Sequence, residues 1–266
     1  MARHDTFQDP GSELFFETRD QITRVYFNRP ELLNAFDLQG SIRFAQLIAA
    51  VRKEPSRVVI FSGKGKAFCA GANLEFLENC GRLSQAKLQA TLKKLYSNYL
   101  TLRTLPQVTI AQVNGAVAGG GLGIVLACDL RTVLADAKVA FNFVKIGLSP
   151  GMGILALTGR LLGPARAKEL WLLGRTYPGH KLAEWGIASA VGRDLADLEI
   201  QTTELARELL GNAPVAMQYI KKESQWKDGL AGVLDFNCKH QAQCLRSEHA
   251  REGLRAIRER RKPDYR

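Results

Sequence analysis

Two short runs decide most of what this chain can become. Arg57 to Phe61 reads RVVIF, and Gln107 to Val113 reads QVTIAQV. Both are rich in β-branched residues and too short for a helix, so each is expected as a buried strand. Between them Leu88, Leu92, Leu95, Tyr96 and Leu100 recur at helical spacing, which predicts an amphipathic helix. The same alternation appears on either side. ITRVYF (Ile22 to Phe27), LRTVLA and KVAFNF read as strands, and Ile42, Leu47, Ile48 and Val51 mark another helix. LGIVLAC, after the glycine run at 119–121, reads as a buried helix. Strands separated by helices predict an α/β fold with largely parallel pairing.

After Leu155 the pattern turns helical. ALTGRLLG, RAKELWLLG and HKLAEWGIA are short helical pieces stopped by glycine. Asp194 to Leu210, Pro214 to Trp226 and Val233 to Arg260 are expected as helices, the last with a break near Ser247. With 46% hydrophobic residues in 266, the chain can bury a full core. No apolar run reaches the roughly 18 residues of a membrane helix. The opening MARHDTFQDPGS lacks the apolar stretch of a secretory leader and is expected as a polar tail. Cys69, Cys80, Cys128, Cys238 and Cys244 show no paired or CxxC spacing. That scatter predicts a reducing, cytoplasmic setting and argues against a disulfide frame or a metal site.

Gly147-Leu148-Ser149-Pro150-Gly151 matches the G-x-S-x-G pattern of serine hydrolases. The residue after such a serine must donate its N–H to an oxyanion, and Pro150 has none. Ser149 is therefore expected as a turn residue. GAVAGGGLG (Gly115 to Gly123) follows a strand and precedes a helix, yet its glycines cannot make G-x-G-x-x-G. No Lys-Ser/Thr follows either, which argues against a nucleotide loop. Together with FCAGANL (Phe68 to Leu74), this loop could let an acyl group lie close to the backbone. A helix start exposes unpaired N–H groups, and two such donors on one carbonyl oxygen make an oxyanion hole. From spacing alone, tight turns and close helix packing explain these glycines equally well.

NRPELLNAF, GKAFCAGANL, VNGAVAGGGLGIVLACDLR and KIGLSPGMG occur in this order from about Leu14 to Arg261. In this order the set resembles the enoyl-CoA hydratase/isomerase (crotonase) superfamily. The resemblance implies a crotonase-like spiral of ββα units with a helical C-terminal region. It divides the chain into a polar tail (1–12), a core binding the acyl thioester (13–200) and a helical trimerisation region (201–266). It implies trimers, often stacked as hexamers, and an acyl-CoA or acyl-carrier thioester as partner, with no cofactor beyond the coenzyme A of the substrate. Catalytic roles fall to the backbone N–H groups of Ala72 and Gly120. Ala70, Asn73 and Leu74 would flank the adenine and pantetheine end, while Ala35, Val117, Gly119, Phe143 and Met152 would line the acyl channel.

The same resemblance exposes a gap. Hydration of an enoyl thioester needs carboxylates to activate water and move a proton. The positions where relatives carry them hold Gly123, Phe143 and Gly151 here. Chemistry that needs no carboxylate is the alternative: NFVKIGLSPGMG resembles the decarboxylases of polyketide β-branching, which would point to Lys87 and His240. Asn73, Asn142 and Glu75 are possible polar substitutes, while Cys69 is expected to pack and Asp129 to accept from backbone donors. The net charge of +11 gathers at Arg255, Arg258, Arg260, Arg261, Lys262 and Arg266, a solvated helix end or a partner for coenzyme A phosphates. Glu31 departs from the basic residue many relatives place near a phosphate. A non-catalytic protein on the same fold is the third reading; no aromatic-plus-basic platform supports nucleic acid as its ligand.

Overall fold

The computed structural model describes residues 7–223, 248–259, 261, 263 and 264. Leu14–Arg19 (β1) and Ile22–Phe27 (β2) form an antiparallel hairpin. Val58–Gly63 (β3), Val108–Val113 (β5), Leu130–Leu134 (β7) and Ala190–Gly192 (β10) extend it in parallel. The sheet runs β1-β2-β3-β5-β7-β10. A smaller sheet has Ala67–Cys69 (β4), Ala116–Ala118 (β6) and Lys138–Ala140 (β8) in parallel, with Thr176–Pro178 (β9) antiparallel at its edge. Every residue of β3 and β5 is buried, as strands covered on both faces require.

Each of β3, β5 and β7 leads directly into a strand of the smaller sheet, and helices follow. Leu74–Gly81 (α2) and Gln85–Leu100 (α3) follow β4. Gly120–Ala127 (α4) follows β6, while Ile154–Leu162 (α5) and Pro164–Leu173 (α6) follow β8. This is the expected ββα spiral. Its corners are held by asparagine. Asn114 Oδ1 accepts from the Gly63 N–H at 2.9 Å and Asn114 Nδ2 donates to the Gly65 carbonyl at 3.2 Å, which ties one turn to the next. Beside it, Gly115 runs so near the neighbouring turn that a Cβ would stand 2.3 Å from the Lys66 carbonyl oxygen.

Leu38–Val51 (α1) begins where the Asp37 carboxylate accepts from the Gly40 N–H at 2.8 Å. Its Phe44, Leu47, Ile48 and Val51 are buried at helical spacing. Phe44 packs between Phe27 and Tyr99, with ring centroids 5.9 and 5.0 Å away. Burying each such side chain contributes roughly 1.5–3 kcal/mol.

The differences from the sequence reading are local. KVAFNF was expected as strand throughout, but β8 stops at Ala140 and Asn142–Ile146 forms a 3-10 turn. The buried Phe141 ring, 4.7 Å from Trp171, sets that corner. The end of FCAGANL starts α2, because the Asn73 side chain accepts from the Phe76 N–H at 2.7 Å. HKLAEWGIA is helical only over His180–Glu184 (α7). Leu195–Leu210 (α8), Pro214–Glu223 (α9) and a helix over Glu248–Glu259 match three expected helical stretches. Residues 224–247, His240 among them, lie outside the described residues. No described helix is long and apolar enough to cross a membrane.

An ion pair between the buried Lys221 and the half-buried Asp129 fastens α9 to the sheet. Lys221 Nζ donates to Asp129 Oδ2 and to the Gln107 carbonyl, both at 2.7 Å. Asp129 Oδ2 also accepts from the Thr109 N–H and hydroxyl at 2.8 Å, so Asp129 does receive backbone donation. Removing Lys221 leaves Asp129 partly exposed and still held by Thr109. Lys221→Ala is therefore expected to lower unfolding stability by about 1.5–3 kcal/mol in urea titration, the range for a hydrogen bond to a charged group.

Candidate active site

The site begins with the parallel pairing of β4 and β6, Ala67 against Ala116 and Cys69 against Val117. Both strands end at one level, so the loop after β4 and the start of α4 meet. The Gly71 carbonyl accepts from the Phe36 N–H at 2.8 Å, and the Asn73 N–H donates to the Phe36 carbonyl at 2.9 Å. These two bonds hold Ala72 between them. The Ala72 N–H makes no hydrogen bond among the described residues. Gly120 opens α4, so its N–H has no partner within the helix, and none among the described residues outside it. The two loops touch. Gly71 has a φ of 92°, and a Cβ there would lie 3.0 Å from the Gly120 nitrogen. Glycine is required by conformation and by contact together.

Ala72 and Gly120 both line a cavity of about 310 Å³. Its walls come from α2, α3 and the bend at 148–152, and Phe36, Phe76, Leu92, Phe143 and Met152 make them apolar. Among the described lining residues the polar side chains are Cys80, Tyr96 and Ser149. None is a carboxylate, histidine, lysine or arginine. Burial raises both the Cys80 thiol and the Tyr96 phenol, and the neighbouring Cys80 raises Tyr96 further. Both groups are therefore protonated at neutral pH.

The comparisons agree with this layout. The family described as enoyl-CoA hydratase/isomerase matches residues 17–266. The chain belongs to the enoyl-CoA hydratase/isomerase family. It is 31% identical over 260 residues to an enoyl-CoA isomerase/hydratase of Mycosarcoma maydis, covering 92% of this chain and 93% of that one. It is 28% identical over 265 residues to the peroxisomal Δ(3,5)-Δ(2,4)-dienoyl-CoA isomerase of Arabidopsis thaliana, covering 93% and 94%. The crystal structure of an enoyl-CoA hydratase from Bacillus anthracis superposes with a TM-score of 0.87 at 27% identity, covering 96% of this chain and 99% of that one.

Within this hydratase/isomerase-family chain, the positions expected to hold acids are filled by neighbours. A Cβ at Gly123 would lie 3.0–3.2 Å from the Met152 side chain. Met152 is buried and holds a φ of 53°, a backbone state that bulky residues rarely adopt. A Cβ at Gly151 would lie 2.3 Å from the Tyr96 hydroxyl. Phe143 lies on the cavity wall, its ring centroid 5.8 Å from that of Trp171.

The remaining sequence expectations divide. Ala72, Gly120, Phe143 and Met152 share the cavity. Ala35 lines a separate small crevice with Asn34 and Phe36. Val117 is buried within β6, and Gly119 precedes α4 with a φ of 52°; neither reaches the cavity wall. Ala70 donates its N–H to the Leu33 carbonyl at 3.0 Å. Asn73 is occupied in capping α2, and Leu74 is exposed beside it. Lys87 is exposed in the first turn of α3, away from the wall, so the cavity does not include it. Ser149 reaches the wall from an exposed coil and has none of the strand-to-helix geometry of a nucleophile elbow. Cys69 is buried, its thiol pushed up to about 12, and serves packing.

Phe36 and Tyr96 were not singled out as site residues: Phe36 ends the motif NRPELLNAF, and Tyr96 read as part of an apolar helical stripe. The phenol oxygen on the helical stripe of α3 was the signal for Tyr96. Met152 makes a direct test of the filled position. Gly123→Glu is expected to lose about 1–3 kcal/mol by overpacking. Adding Met152→Ala makes room, so the double variant should be more stable than the sum of the single losses by at least about 0.5 kcal/mol. Thermal denaturation of the four proteins measures this.

Proposed function

We propose that this chain is an acyl-CoA enzyme whose Ala72 and Gly120 N–H groups hold the thioester carbonyl oxygen and stabilise its enolate. The observation that carries this reading is that the Ala72 and Gly120 N–H groups have no hydrogen-bond partner among the described residues, sit on touching loops, and belong to residues that line one apolar cavity. When electrons from the α-carbon move into the carbonyl, negative charge grows on that oxygen. Preorganised donors in a water-poor site stabilise it without reorganising. A cavity of about 310 Å³ with apolar walls has room for an acyl chain, and burial against those walls favours a longer chain over a short one.

The reaction is of the hydratase or isomerase class, with Gly123, Phe143 and Gly151 standing where acids are expected. A second reading has one specific observation behind it. Among the described residues no carboxylate lines the cavity, and loss of CO₂ from a thioester needs no carboxylate base. The electrons of the breaking C–C bond would enter the same carbonyl held by the same N–H pair. Whether coenzyme A or a carrier arm bears the thioester, the acyl end of the site is the same.

Calorimetry with butyryl-CoA and octanoyl-CoA tests binding, with tighter binding expected for octanoyl-CoA. Hydration of crotonyl-CoA, isomerisation of a 3-enoyl-CoA and CO₂ release from a glutaconyl thioester separate the reactions. Absence of all turnover, with binding retained, would leave a non-catalytic thioester-binding protein. Gly71→Ala should press on the Gly120 nitrogen and misplace that donor. It is expected to lower kcat on the active substrate by about 10²–10³-fold, the usual effect of losing one oxyanion donor. Unchanged kcat in a folded Gly71→Ala protein would remove the N–H pair from the mechanism.

A further inference from the structure

Among the described residues three polar side chains reach the cavity wall, and one of them occupies a place that matters. The Tyr96 hydroxyl sits where a side chain at position 151 would begin, 2.3 Å from the Cβ that Gly151 lacks. The same wall includes Ala72 and Gly120. Tyr96 makes no hydrogen bond among the described residues, so its hydroxyl is not committed to holding the fold. Its ring is anchored by packing against the main core. The structure thus pairs an absent acid with a hydroxyl that takes its space.

We propose that the Tyr96 phenol is the catalytic acid of this site, giving its proton to the α-carbon of the enolate held by Ala72 and Gly120. This rests on the acyl-thioester reading above. In the step, the enolate carbon–carbon π pair forms the new Cα–H bond, and the carbonyl reforms. The phenol O–H bond breaks and its electron pair stays on oxygen as phenolate. The phenolate then takes a proton from water. In a hydration, the water adding to the β-carbon supplies that proton. After loss of CO₂, bulk water does.

The neutral phenol suits this direction of transfer. Burial and the nearby Cys80 raise Tyr96, so it stays an acid through and above the ordinary tyrosine range near 10. Cys80, from α2, is the titratable group facing it. The 148–152 bend, α4 and α5 bring only Ser149, backbone and apolar groups to this wall among the described residues.

Hydrogen exchange on a saturated thioester reads the same step in reverse and needs no knowledge of the natural acyl group. Butyryl-CoA is incubated with the full chain in D₂O, and deuterium at the α-carbon is followed by NMR. In the reverse step the phenolate is the base. Exchange is therefore expected to climb with pH past 9, with no plateau near the carboxylate range of about 4–5. Tyr96→Phe keeps the ring and removes only the hydroxyl. It should retain its melting temperature and butyryl-CoA affinity within twofold, and lose exchange by about 10²–10⁴-fold. Exchange within tenfold of the original in Tyr96→Phe overturns the proposal, as does a plateau near pH 5. Loss of exchange in Cys80→Ala instead assigns the proton to the thiol and also overturns it. A protein that binds butyryl-CoA but exchanges nothing at any pH has no acid here. One that binds no acyl-CoA overturns the acyl-thioester reading itself.

Discussion

The pairing of β4 with β6 is the contact on which the site depends. It is short, yet it fixes the height at which two loops leave the smaller sheet. One loop ends in Ala72 and the other in Gly120, and each presents an N–H that no described residue accepts from. The close approach of Gly71 to the Gly120 nitrogen follows from that register. A shift of one residue would turn the side chains of either strand to the opposite face and separate the loops. The large sheet, the Asn114 corner and the Lys221–Asp129 tie hold the frame in which so small a ladder keeps its register.

Most of the frame was legible in the chain itself. β3 and β5 are buried on both faces, so their apolar runs announce them without help from alternation. α1 and α3 carry apolar stripes that face the core. The shortest elements were harder to see. β4, β6, β9 and β10 have three residues each, too few for any period to declare itself. Position in the sheet, rather than local preference, makes them strands. The turn after β8 likewise depends on where Phe141 finds Trp171, a contact that spans thirty residues.

The site was legible in its backbone part and obscure in its side chains. Glycine runs name places where the chain comes close to something, and the structure brings Ala72 and Gly120 to the wall of one cavity. What fills the vacant acid positions could not be read in the same way. Met152 and Tyr96 are distant in sequence from one another and look like ordinary apolar-face residues. Only the fold brings Met152 over Gly123 and Tyr96 against Gly151. Ala35, Val117 and Gly119 show the converse: neighbours of the site along the chain that face elsewhere.

The backbone state of Met152 has a consequence for how this sequence can change. Its positive φ and buried thioether occupy the volume that a side chain at position 123 would need. A carboxylate at position 123 therefore enters this sequence only by pressing on Met152, at a cost of about 1–3 kcal/mol. Replacing Met152 first relieves that contact. The cost of an acid at position 123 thus depends on the order in which the two positions change.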